Sequence, residues 1–507
     1  MKQSSAKSLL SQLDLFTTLV PFFIIVLLCV LFMVYPGRSS ATLESIRFFL
    51  GDQLGSYYLV IGLGVFFCSL YMAFSKYGSI RFGDLEKPEY SNFRWGSMMF
   101  TAGLAADILF YSCCEWMMYA SEPHVAEMGA MQDWASAYTL FHWGPIPWAF
   151  YLVLSVAFGF MLHIRKRDKQ KYSESCRALL GDRVDGWAGK LIDLIAVFAL
   201  LAGTATTFSV ATPLLSMAIS RVTGIPQTTS LTIIILVAIC AIYTFCVYFG
   251  MKGVQQAAAC CTYLFFTLLA YVFLFGGEGR FIIETGITAL GNVAQNFIGM
   301  ATWTDSMRTS SFPQNWTIFY WAYWMVWCVA VPFFIGSISK GRTIKQTVIG
   351  GYICGLAGTY TSFIILGNYG LGLQLHGRLD ILTPYNATGD LYTAIISILE
   401  QLPLSWLVLI LLVLCMVTFY STSFDSITMV ASAYSYKELP SGAEPDRKVK
   451  LFWSIFLILL PIALLFSENS MANLQTVSII AAFPVGIIMI LILASFFKDA
   501  SAYLKEK

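Results

Sequence analysis

The sequence predicts an all-α polytopic membrane protein with twelve transmembrane helices, and three observations carry that class. Of its 507 residues, 57% are hydrophobic and only 12% are charged, about half the charged share of a soluble domain. Apolar runs of roughly twenty residues, long enough to cross a bilayer as helices, recur along the whole chain. The basic residues between those runs alternate from one side to the other, as membrane insertion requires.

The first run, 15–35, follows a polar stretch at 1–14. It is longer than the core of a signal peptide and no small-residue cleavage site follows it, so it reads as a retained helix. Further spans read at 57–76, 94–119, 136–163, 188–221, 231–250, 255–276, 316–338, 343–371, 404–435, 449–468 and 473–497. Two connections, 277–315 and 372–403, are long enough to hold interfacial helices, and DLYTAIISILEQL (390–402) has the period of one. With the N-terminus and every second connection on one side, that side holds 25 Lys and Arg, including Arg165, Lys166, Arg167, Lys169 and Lys171 in a single connection. The other side holds Arg38, Arg47, Arg221, Arg280, Arg308 and Arg378. The positive-inside rule then places both termini in the cytoplasm.

A net charge of +2 gives no basis for nucleic-acid binding. The twelve cysteines contain no CxxC spacing, and the pairs Cys113–Cys114 and Cys260–Cys261 read as small buried thiols. No connection carries a phosphate-binding GxxxxGK[ST] or an HExxH, and His124, His142, His163 and His376 are dispersed. A pump driven by ATP and a membrane metalloenzyme lack support. A secondary transporter, a channel and a membrane sensor remain.

Two spans are polar where lipid-facing helices are not. In the third, TAGLAAD (101–107) gathers small residues around Gly103 and places Asp107 near mid-depth. A carboxylate there costs about 2.5–3.5 kcal/mol on insertion scales. The small residues would serve close packing with Asp107 salt-bridged, but the spans offer almost no basic partner. The other reading is a broken helix whose freed backbone lines a site. In the tenth span, FYSTSFDS (419–426) offers oxygens at Thr422, Ser423, Asp425 and Ser426. These suit either a small hard cation or interhelical hydrogen bonding. Asp193 reads as a boundary or capping charge.

Two spans are crowded with aromatic rings. The eighth carries NWTIFYWAYWMVW (315–327) and the fourth FHWGPIPWAFY (141–151). On a continuous helix Trp143, Trp148 and Tyr151 fall within an arc of about 140°, and Trp321, Trp324 and Trp327 within about 120°. Interfacial belts cluster at span ends, whereas Trp148, Tyr151, Trp324 and Trp327 lie a turn or more inside. A cage of π faces for a quaternary ammonium, worth about 2 kcal/mol or more per desolvated contact, is the sharper reading.

These motifs resemble the betaine/choline/carnitine transporters. The family signature appears as WTIFYWAYW (316–324), followed by SKGRT (339–343). FHWGPIPWAFY and TD…FPQNW (304–316) are similar to the family's carnitine/γ-butyrobetaine exchangers. The resemblance spans essentially the whole chain, 1–507, as one transporter domain in a bacterial cytoplasmic membrane, and implies a homotrimer embedded in the lipid bilayer. It implies helices 1–2 over 1–93, one repeat over 94–276 (spans 3–7), a connecting segment 277–315, an inverted repeat over 316–497 (spans 8–12) and a short tail 498–507. The aromatic box maps to Trp143, Trp148, Tyr151 and Trp324, with Tyr323 and Trp327 nearby and Trp316 at an outer substrate position. A Na⁺ site, as in the sodium-coupled members, maps to Thr101, Ala102 and Leu104 on one side and Phe419, Thr422 and Ser423 on the other.

Three departures stand out. Tyr323 replaces the first Trp of the family's WW pair. Trp116 follows Glu115 where many members have Pro. The tail lacks the long charged extension of osmosensing members, so volume regulation is not expected. The resemblance also bears on cargo, because choline carriers tend to have Asp at position 107, betaine carriers Gly and the exchanger Ala. The exchanger's fixed Arg is here the neutral Gln255, in KGVQ (252–255). The resulting expectation is no enzyme and no cofactor, but a carrier of choline, Na⁺-coupled. Uptake or exchange of betaine, carnitine or γ-butyrobetaine is the alternative, and a channel or sensor the third reading.

Overall fold

The computed structural model describes residues 9–102, 106–167, 169–249, 252–439, 443–466 and 471–506. Among the described residues the regular structure is helical, with two isolated β-bridges and no strand. Hydrocarbon leaves no alternative to a helix for an open chain, because backbone N–H and C=O groups find no water there.

Seven helices are long and apolar enough to cross a membrane alone: Leu15–Val34, Ser56–Phe74, Met131–His163, Trp187–Thr223, Ile344–Leu375, Ser405–Tyr434 and Gln475–Glu506. Three bent pairs can each add a crossing: Asn92–Ala102 with Ala106–Ala120 at 63°, Cys260–Phe275 with Gly279–Thr302 at 110°, and Pro313–Trp327 with Val331–Ile338 at 56°. Length and hydropathy therefore give seven to ten crossings among the described residues, and a count of twelve needs the shorter helices too. Thr229–Phe249 occupies the sixth span. The eleventh departs from expectation, forming two short helices, Arg447–Phe456 and Leu459–Phe466. The connection 277–315 holds Gly279–Thr302, which packs on Met131–His142. Leu391–Leu399 lies within the amphipathic segment, its buried face made by Leu391, Ala394, Ile395, Ile398 and Leu399.

The third span breaks between Ala102 and Ala106, where the small-residue stretch ends; Gly103, Leu104 and Ala105 lie outside the described residues. The fourth is not the continuous helix that the arc argument assumed. It is interrupted at Trp143–Gly144 between Met131–His142 and Pro145–His163. Pro147 has no N–H to give the Trp143 carbonyl, and the Thr359 hydroxyl donates to that carbonyl instead at 3.1 Å. Gly144 is required at the break, since a Cβ there would sit 2.5 Å from the Leu140 carbonyl oxygen. The fourth and fifth spans are the most enclosed, with 94% and 83% of their apolar windows buried. The aromatic motif of residues 141–151 thus lies at the centre of the bundle.

At the basic end, charges bind the last helix to the connection after the fourth span. Asp499 accepts from Arg165 at 2.8 Å and from Arg167 at 3.0 Å, and Glu506 pairs with Arg165 at 3.0 Å. The helix continues through the segment expected as a tail, to Glu506. Nearby, hydrogen bonds from Arg177 and Lys169 hold the Asp185 carboxyl below the usual carboxylate range. Asp193 does cap a helix, though not its own. It accepts from Ser173 N at 3.0 Å and Ser173 Oγ at 2.9 Å, at the start of Tyr172–Ser175.

Replacing Asp499 by Ala removes the shared acceptor of two arginines. The expected loss is about 1–2 kcal/mol, between the values for exposed and buried pairs. A lowered thermal midpoint of the detergent-purified protein, with a smaller deficit in high salt, is the outcome to look for.

Candidate functional site

The eighth span opens with a wide turn, Pro313–Thr317, and continues as Ile318–Trp327, where every side chain is buried. It packs against Trp187–Thr223, Pro145–His163 and the last helix. A helix enclosed on all sides presents aromatic rings to protein rather than lipid, which excludes the interfacial belt for this stretch. Trp324 is its hub: its ring centroid lies 4.8 Å from Tyr151, 5.5 Å from Trp143 and 5.9 Å from Trp148. The four rings meet at interplanar angles of 53–79°, the tilted arrangement that ring quadrupoles favour.

Trp148 fits only because the ninth span carries Gly355 opposite it. A Cβ at that position would lie 2.6 Å from the indole. The indole N–H groups of Trp148 and Trp324 are buried without a hydrogen-bond partner among the described residues. Such groups are rare in finished protein interiors. Trp327, expected near the cage, instead lies against Gly203 of the fifth span, where an added Cβ would be 3.5 Å from its indole. It shares no ring contact with the cluster among the described residues. Trp316 stands apart, donating to Glu122 Oε1 at 2.6 Å and meeting Tyr119 edge-on at 5.6 Å.

Asp107, 4% exposed, has hydroxyls rather than a cation around it. Its Oδ2 accepts from the Tyr323 hydroxyl, with Thr207 Oγ1 at 3.5 Å. Tyr323 and Thr207 also bond to each other at 2.6 Å. Its Oδ1 accepts from the backbone of Ile108 at 3.1 Å. No ion pair among the described residues reaches it. Tyr323 thus clasps this carboxylate through its hydroxyl. Tyr111 joins the two regions, 6.1 Å from Tyr323 and 5.6 Å from Trp143.

The residues mapped to Na⁺ are only partly described. Leu104 and the side chain of Thr422 lie outside the described residues, as does that of Gln255. Thr101 Oγ1 bonds back into its own helix, at Ser97 O (3.1 Å) and Met98 O (3.2 Å). Ala102 ends that helix. Phe419 turns its ring to Phe265 at 5.5 Å, and Ser423 is half-buried.

Sequence reasoning missed a second buried carboxylate, Glu115. It is fully enclosed and accepts from Trp143 Nε1 at 2.6 Å and from Tyr119 at 2.5 Å. Its spacing of eight residues from Asp107 was the available signal.

A family model described as "BCCT, betaine/carnitine/choline family transporter" matches residues 16–505. A carnitine transporter of Acinetobacter baumannii is 30% identical over 83% of this chain and 76% of its own length. An uncharacterized transporter of Escherichia coli, YeaV, is 29% identical over 85% of this chain and 89% of its own.

Gly355→Ala forces Trp148 to move, and overpacking of this kind costs about 1–3 kcal/mol. We expect a lower thermal midpoint and an altered tryptophan emission spectrum. Gly64→Ala is the control, because nothing lies within 4 Å of that position, and it should change neither in that direction.

Proposed function

The chain belongs to the betaine/carnitine/choline transporter family, and from that premise we propose that it carries choline by alternating access as a secondary transporter. One observation carries the cargo's charge: Asp107 is buried beside the aromatic cluster with hydroxyl neighbours and, among the described residues, no basic partner. An ionised carboxylate in that position favours a ligand that brings positive charge. At an effective dielectric of about 20, unit charges 5 Å apart attract by about 3 kcal/mol. A zwitterion returns much of that through repulsion of its own carboxylate. The trimethylammonium group, which has no N–H to donate, is met by the π faces of Trp143, Trp148, Tyr151 and Trp324.

A second reading has its own support. The unpartnered N–H groups of Trp148 and Trp324 could donate to a carboxylate, as in carnitine or betaine, and one relative is named a carnitine transporter. Equilibrium binding of choline, carnitine and betaine to the purified protein separates the two. Choline should bind tightest, and Asp107→Gly should lose choline while keeping or gaining betaine. Tighter wild-type binding of carnitine or betaine would overturn the cargo assignment and leave the cage standing.

The cage has a separate test. Leu at position 148 or 324 keeps apolar bulk without the quadrupole, so each variant should bind at least about tenfold more weakly. Unchanged affinity in both would reduce these rings to packing.

Coupling to Na⁺ is part of the proposal. Its support is the neutral Gln255 and the hydroxyls of Thr422 and Ser423 in the sequence. Uptake into proteoliposomes should be stimulated by Na⁺ over K⁺, and equal rates would remove Na⁺ from the mechanism. A homotrimer in a bacterial cytoplasmic membrane, with both termini inside, completes the proposal.

A further inference from the structure

Of the four tryptophans mapped to or near the cage, Trp148, Trp324 and Trp327 have indole N–H groups without a partner among the described residues. Trp143 alone is tethered, and its tether is the Glu115 carboxylate at 2.6 Å. That carboxylate belongs to a chain of buried groups. Its other oxygen accepts from Tyr119 at 2.5 Å; the same phenol lies 2.5 Å from His142 Nδ1; and His142 Nε2 lies 3.0 Å from Thr317 Oγ1. All four residues beyond Trp143 are buried. The chain runs from the cage wall to the first turn of the eighth span, the helix that supplies Trp324.

Two physical consequences follow where this acceptor is ionised, and its ionisation is part of the inference drawn below. A charge-assisted hydrogen bond is shorter and about twice as strong as a neutral one. It therefore fixes the plane of an indole that sits at a helix break, where the backbone alone would not. The bond also draws the N–H proton toward the carboxylate and leaves more negative charge on the ring, which strengthens the face offered to a cation. Packing around Trp143 does not account for this arrangement, because a neutral amide or a water would satisfy the N–H without placing a second carboxylate in a buried site.

We propose that Glu115 is a positioning residue of the cargo site, setting the orientation and charge of the Trp143 face through its indole N–H without touching the cargo. The proposal rests on the aromatic-cage reading above. It differs from that reading in assigning a role to a residue outside the cage.

A double-mutant cycle on affinity tests it, using Glu115→Gln, Trp143→Phe and their combination. Equilibrium binding is measured with choline and with carnitine, which share the trimethylammonium end. Phe keeps a ring at 143 and removes the N–H. Glu115→Gln in the wild-type background should weaken binding by about threefold to tenfold, as the charge-assisted bond gives way to the neutral one that the amide oxygen still accepts. In the Trp143→Phe background the same change should have an effect of less than about twofold, because nothing is left for it to act through. Equal losses in both backgrounds would show that Glu115 acts elsewhere, overturning the proposal while the cage stands. No loss on Glu115→Gln overturns it as well. If Trp143→Phe leaves affinity unchanged, the indole N–H carries nothing and the proposal fails while the cage stands; if the wild type binds neither ligand, the cage reading fails and takes the proposal with it. Should Glu115→Gln not fold, Glu115→Asp keeps the charge, withdraws it from the indole and enters the same cycle with the same outcomes.

Discussion

Inside hydrocarbon a chain can leave the helix only where other protein groups take over its freed hydrogen bonds. This constraint places the interruptions of the bundle, and the interruptions place the site. The fourth span breaks where Pro147 cannot donate to the Trp143 carbonyl, and the break survives because Thr359 donates from the ninth span. The third and eighth spans bend by 63° and 56°, and each contributes to the same region: Asp107 and Glu115 from one, Tyr323 and Trp324 from the other. The lipid-facing first helix, by contrast, is buried over only 22% of its window. Irregular backbone, large rings and carboxylates are concentrated in the part of the molecule where lipid does not reach.

Two carboxylates on one helix meet this constraint differently. Asp107 is held by hydroxyls, which can stabilise an anion without neutralising it. Glu115 is held by an indole and by a phenol that leads to an imaidazole ring, His142. The first arrangement leaves the carboxylate without a counter-charge among the described residues. The second is internally complete, and belongs to the frame that holds the rings. Burial alone does not distinguish the two acids; their partners do.

Much of this was legible in the sequence, for reasons that can be named. Asp107 stands out because an acid in an apolar run is expensive. The tryptophans stand out because polar-edged rings sit away from the ends of their spans. Ala102, Gly103, Ala105 and Ala106 pointed to the bend in the third span. What the sequence hid was pairing. Tyr323 and Asp107 are 216 residues apart, and His142 and Thr317 are 175 apart; no periodicity connects such positions. The continuous-helix assumption put Trp143 on one face with Trp148, although Pro145 and Pro147 were visible and signalled the break. Trp327 was grouped with the cage by helical spacing, which gives direction around an axis but not what lies opposite. There the fifth span presents Gly203, and the ring fills that space.

The clasp between Tyr323 and Asp107 has a consequence for the order in which these two positions can change over evolutionary time. The two positions are not free to vary independently. Changing Tyr323 first, to Trp for example, removes the hydroxyl from a buried carboxylate and passes through a poorly satisfied intermediate. Changing Asp107 first leaves the Tyr323 hydroxyl still bonded to Thr207 at 2.6 Å, so that intermediate is tolerable. The accessible mutational route therefore has an order, acid before phenol, and a lineage that acquired this pair would have crossed it in the opposite sense. Epistasis of this kind acts as a ratchet: once the acid is in place, the tyrosine beside it becomes hard to lose.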